Sequence, residues 1–145
     1  MREIKFRAWD KHIGCMRSWE EERVTSRQTL GHFFSRDDYA VMQFTDLHDK
    51  KGKDIYEGDV VRGVVKFPQL LTGDNDENCN FKMVGVVFWD AVGFRLSCMK
   101  TQVMCDPDRD GMGNYFDFHG AEGDTFEEME VIGNIYENPD LNQAT

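Results

Sequence analysis

Polar and apolar residues alternate from the start of the chain. In Glu3–Trp9, Ile4, Phe6 and Ala8 fall on one side and Lys5, Arg7 and Trp9 on the other. Period two predicts a strand with one buried face. Asp10–Gly14 reads as a turn and Cys15–Trp19 as a short second strand. Ser18–Glu22 has a cap residue followed by acids, the signature of a helix start. Thr25–Phe34 has mixed propensity, and Tyr39–Thr45 is strand-like. Asp49–Gly52 and Glu57–Asp59 are turn sequences on either side of a short extended piece, Lys53–Tyr56, with Gly52 suited to positive φ. Val60–Phe67 is rich in β-branched residues and predicts another strand. Pro68–Lys82 is a polar excursion without periodicity, either a surface hairpin or a flap. Met83–Trp89 and Phe94–Cys105 predict two strands around a turn at Asp90–Gly93, the second of them interrupted. Tyr115–Phe118 is extended, Gly120–Asp124 breaks the chain again, and Glu130–Tyr136 is the last strand, ended at Pro139. Asn142–Thr145 reads as a frayed end. Seven or eight short strands with frequent turns argue for a mainly β barrel or sandwich.

Composition narrows this picture. A chain of 145 residues, 40% hydrophobic, suits a single domain with its own core. No apolar run reaches the length of a membrane span, and MREIKFRAWDK lacks the apolar stretch of a signal peptide, so a cytoplasmic location is expected. Cys15, Cys79, Cys98 and Cys105 show no paired spacing and read as reduced thiols rather than zinc ligands. His12, His32, His48 and His119 are expected at surface or satisfied polar positions.

Charge is uneven. Residues 1–105 carry 16 acidic and 16 basic side chains, whereas residues 106–145 carry 11 acidic and one basic, Arg109. The net charge of −10 therefore comes from the last forty residues. Such a run is read first as a solvated face, and it disfavours general phosphate-backbone binding. Aromatic residues Trp9, Trp19, Phe88, Trp89, Tyr115, Phe116 and Phe118 keep a base-stacking platform, and so a nucleic-acid-binding barrel, as an alternative.

One stretch carries metal-like spacing. In DPDRDGMGNYFD, Asp106, Asp108, Asp110, Asn114 and Asp117 fall where a twelve-residue calcium loop places its oxygen ligands. Met112 supplies its carbonyl position and Gly111 the sharp turn. The flanks read as strands rather than helices, and Pro107 biases Asp106 to an extended backbone. Asp, Asn and Gly also favour turns for local reasons. An acidic hairpin tip is the preferred reading, with no cofactor, and Ca2+ is the alternative. The chain lacks GxSxG, Walker A, GxGxxG and HExxH sequences, and its many carboxylates include no evident acid/base pair, so a non-enzymatic role is expected.

Three segments, MREIKFRAWD, MQFTDLHDKKGKDIYEGDVV and EVIGNIYENPDL, occur in this order. Together they resemble the YopX family, small proteins encoded by bacteriophages and prophages. The resemblance spans the first ten residues, 42–67, 84–97 and 130–141. It implies an SH3-like small barrel at 46–141 after an N-terminal β-rich extension at 1–45, with variable excursions at 68–82 and 98–125. It implies that Gly58 and Asp59 form a turn, that Val60 and Val61 enter the core, and that Ile132 and Ile135 return to it. It further implies phage or bacterial origin and homo-oligomers, but no established activity. The expectation is an accessory protein that binds a host protein, a phage protein or its own copies.

Overall fold

The computed structural model describes residues 3–20, 30–66, 80–89, 93–103, 115–117 and 125–142. Strands β1 (Phe6–Asp10) and β2 (Cys15–Ser18) form the predicted N-terminal hairpin, paired antiparallel from Arg7↔Ser18 to Asp10↔Cys15. Asp10 shapes its turn. The buried carboxylate accepts the backbone N–H groups of His12 (3.0 Å) and Ile13 (3.1 Å) and the Arg17 Nε–H (3.0 Å). The backbone turns helical at Trp19 and Glu20, and the rest of the acidic helix start lies outside the described residues. A short helix, α1 (Leu30–Phe34), packs on the following strand, β3 (Tyr39–His48). Five residues are too few to hold a helix alone. Packing supplies the rest: Phe33 is buried with its ring 5.0 Å from Tyr39 and 6.1 Å from Trp19.

β3 is longer than the predicted Tyr39–Thr45 and serves two partners. Its first half pairs with β1, from Phe6↔Gln43 to Asp10↔Tyr39. Its second half pairs with β4 (Asp54–Tyr56) at Phe44↔Tyr56 and His48↔Asp54. Between those two pairs the register shifts, and Asp46 takes a φ of 70°. Thr45 fills the broken ladder, its Oγ1 donating to the Ile55 carbonyl (2.8 Å) and accepting from Leu47 N (3.2 Å). The resulting sheet has the order β2-β1-β3-β4.

The predicted turn at Glu57–Asp59 leads into β5 (Asp59–Lys66), followed by β6 (Asn80–Trp89), β7 (Phe94–Val103), β8 (Tyr115–Asp117) and β9 (Thr125–Asn134). They form a second sheet, β8-β7-β6-β5-β9, curled into a half-barrel. Register shifts between β5 and β9 leave Ile132 and the Glu128 region unpaired, with Glu128 at a φ of 58°. A third shift, between β6 and β7 near Met99, is the interruption expected in Phe94–Cys105. Bulges of this kind bend strands and increase their twist, which curls the sheet. Inside the curl lie Ile55, Val61, Met83, Val87, Phe94 and Leu96, with Leu47, Met129 and Val131 packed against them.

The chain is thus mainly β with little helix, as its pattern indicates. Several boundaries differ from expectation. β9 begins at Thr125, not Glu130, because it pairs with β5 out to Lys66↔Thr125, and the acids of TFEEME hide that strand. The last three residues of the polar excursion, Asn80–Lys82, belong to β6 because its pairing continues to Lys66↔Asn80, while residues 67–79 lie outside the described residues. Ile132 and Ile135 are only half-buried, since the β9 bulge turns Met129 and Val131 to the core instead. Pro139 opens a short helix, α2 (Pro139–Asn142), rather than merely ending a strand; proline is favoured at a first helical position. Asn142 closes this helix instead of fraying.

Candidate functional site

Asp59 closes the YEGD turn with one oxygen, its Oδ2 accepting Tyr56 N at 2.9 Å. The turn itself needs Gly58, whose φ is +80° and whose missing Cβ would stand 3.4 Å from Asn134 Nδ2 and 3.5 Å from Met42 Sδ. Asp59 turns its other oxygen inward, where Oδ1 accepts from Arg7 Nη2 on β1 and from Asn134 Nδ2 on β9 (3.2 Å). Asp59 and Asn134 are each 1% exposed, and the Arg7 side chain is 14% exposed. Asn134 Nδ2 also lies 3.4 Å from Met42 Sδ, and its Oδ1 accepts Tyr136 N at 3.0 Å. The Arg7 guanidinium stacks over the Tyr56 ring at 4.4 Å. One donor, Arg7 Nε, is buried without a partner.

This centre joins three stretches far apart in sequence: FRAWD, MQFT with YEGD, and GNIY. They are the stretches that carry the family resemblance. The sequence placed Gly58 and Asp59 in a turn, which holds, but gave no sign that Asp59 faces Arg7 across 52 residues. The only signal was a lone Arg on an otherwise apolar-alternating strand and a lone Asn in EVIGNIY.

Outward from this centre lies a polar rim. Asp54 Oδ2 receives Lys5 Nζ (3.3 Å) and Tyr56 Oη (3.4 Å), and its Oδ1 meets His48 Nε2 at 3.0 Å. Lys5 also lies 5.0 Å from the Phe44 ring. Burial, and then the Asp54 charge, push the Tyr56 hydroxyl pKa up. On the half-barrel, Asp49 caps the 49–53 turn and ties it to β9. It accepts Lys51 N (2.8 Å), Lys53 N (2.9 Å) and Val131 N (3.2 Å). Burial alone would raise its carboxyl pKa, but these backbone donors outweigh burial and hold it low. Glu130 gathers Lys51, Arg62 (2.9 Å) and Lys50 (3.6 Å), and hydrogen bonds from Lys51 and Arg62 bring its pKa to about 2.

The chemistry available is therefore cohesive. Asp10, Asp49 and Asp59, the buried carboxylates among the described residues, each accept several donors. Of the histidines, His12 is exposed, His32 lies half-buried on α1, His48 pairs with Asp54, and His119 lies outside the described residues. Cys15 is a free, half-buried thiol, and Cys79 and Cys105 lie outside them. Among the described residues no three His, Cys, Asp or Glu side chains converge as metal ligands would. Of the calcium-like set, Asp106, Asp108, Asp110 and Asn114 lie outside the described residues, and Asp117 is the last residue of β8.

Of the aromatics that the stacking alternative invoked, Phe118 lies outside the described residues. Trp19 leans on Phe33, Trp89 packs edge-on against Phe94 at 4.8 Å, and Phe88 is half-buried. The large hydrophobic side chains exposed among the described residues are Ile4, Ile13, Phe34, Trp89 and Tyr136, with Phe34 58% exposed beside Phe6. The dimple next to it, lined by Phe6, Trp19, Phe33 and Val41, does not admit a water. No described helix is long and apolar enough to cross a membrane.

Comparison with known proteins agrees with this architecture. A family model described as YopX protein matches residues 5–142. The crystal structure of protein EF1440 from Enterococcus faecalis is similar in fold, with a TM-score of 0.50 and 23% identity, covering 98% of this chain and 99% of that one. No curated protein matches.

Proposed function

The chain belongs to the YopX family, and from that premise we propose that it is a phage or prophage accessory protein that works by binding rather than by catalysis. It needs no cofactor, acts in the bacterial cytoplasm, and takes a host or phage protein, or its own copies, as partner. The observation that carries this reading is how the structure spends its side chains. Buried carboxylates hold turns and strands together, while large apolar side chains, Ile4, Ile13, Phe34 and Trp89, stand exposed. Exposed apolar residues beside a polar rim are the raw material of a protein interface.

The test joins two measurements on the same protein. Light scattering reads self-association across a concentration series, and affinity capture from host lysate reads a specific companion. Phe34→Ser and Trp89→Ser are run beside wild type. The expected outcome is a defined oligomer or a single retained protein, lost in one of the two variants. A concentration-independent monomer that retains only background would sink the proposal.

A further inference from the structure

The apolar residues fall into two groups. Ile55, Val61, Met83, Val87, Phe94 and Leu96 form the half-barrel core. Ala8, Phe33, Met42 and Phe44, together with Val60 of β5, are equally buried but stand outside that core. The backbone of β1 packs on β2 and β3, and that of α1 on β3, whereas the half-barrel strands pack mainly among themselves. Across the seam run Arg7 to Asp59, Arg7 over Tyr56, Lys5 to Asp54, Asn134 to Met42 Sδ, Glu57 N to the Gln43 carbonyl (2.9 Å), and the Phe44 ring, 5.5 Å from that of its strand partner Tyr56.

β3 runs through both groups. Its first half belongs to the N-terminal sheet, whereas Leu47 packs on the half-barrel core. The two halves meet at the Thr45–Leu47 irregularity, where Asp46 already sits at positive φ. A break in the ladder with unusual backbone angles is where a strand bends at least cost.

We propose that β1, β2, α1 and Tyr39–Phe44 form a hinged flap that pivots at Thr45–Leu47 and is latched shut by Arg7 on Asp59. Opening it uncovers the Tyr56–Asp59 turn and Asn134, which the closed flap keeps from solvent. The physical logic lies in the latch. A buried ion pair is stable only with both partners present, and its exposed halves are well hydrated. The flap therefore has a closed state fixed by one specific contact and an open state with no stranded charge. Arg7 Nε, buried without a partner, adds a further donor that is satisfied only on opening. Sub-global opening of contiguous units is ordinary in folded proteins.

Hydrogen exchange of the native chain tests this. Arg7→Met keeps the length of the side chain but strands the Asp59 charge in the closed state alone. The amides of β1 and of the first half of β3 should then exchange at least about a hundredfold faster, with those of β5 and β6 unchanged. Val87→Ala, which touches only the half-barrel core, should speed β5 and β6. Equal acceleration of β1 and β6 in Arg7→Met would overturn the hinge. Should Arg7→Met not fold, wild type in dilute urea gives the answer. A smaller urea dependence for β1 than for β6 supports a separate flap. One common dependence for both would rule it out.

Discussion

Asp49 shows how much one residue carries here. Three backbone N–H groups from two distant segments end on its carboxylate. Asp49→Ala strands them and should destabilise the chain by about 3 kcal/mol in urea unfolding. Asp10 behaves alike, its carboxyl held low by Ile13 N, His12 N and Arg17 against the effect of burial. Glu130 is also held low, at about 2. All three have folded pKa values below their unfolded ones, so their stabilisation is complete above the unfolded values near 4 and is lost as pH falls through the folded ones. The urea midpoint should be level from about pH 8 to pH 5.5 and fall steadily below about pH 5. Asp49→Asn should flatten part of that fall. A midpoint that rises on acidification would contradict the assignment. At this scale the turns were legible: Asp10 and Asp49 each head a turn sequence ending in glycine, and such acids bond locally. The partner of Asp59 was not, because an ion pair between strands leaves no spacing for a sequence to show.

Elements were legible in kind and less so in extent. The alternation in Glu3–Trp9 and the β-branched run in Val60–Phe67 point to β1 and β5, observed at Phe6–Asp10 and Asp59–Lys66. The start of β9 was hidden by its acids, since period two reads a buried face and TFEEME has little of one. The division of β3 between two partners was equally invisible, because a bulge is set by twist and pairing rather than composition. The joint between β9 and α2 offers a prediction. A Cβ on Gly133 would stand 2.6 Å from Asn138 Oδ1 and from Leu141 Cδ1. Gly133→Ala should therefore push α2 off the strand and lower stability by about 1–3 kcal/mol. A circular-dichroism melt checks it, and an unchanged melting temperature would mean that α2 does not press on β9.

In the whole molecule, the three segments that mark the family meet at one buried contact. β1 brings Arg7, the start of β5 brings Asp59, and the end of β9 brings Asn134. The barrel-like half and the N-terminal sheet are thereby fixed to each other, and the family pattern is read as architecture rather than as an active centre. That convergence was not legible in the sequence, since order along the chain says nothing of which side chains face one another. The measurement closest to this account is a double-mutant cycle on Arg7→Met and Asp59→Asn, with flap opening read from β1 amide exchange. Each single change should lower the opening free energy by about 3 kcal/mol, and the pair by clearly less than the sum, with a coupling of about 2 kcal/mol or more. Strictly additive effects would show that Arg7 and Asp59 do not hold the two halves together.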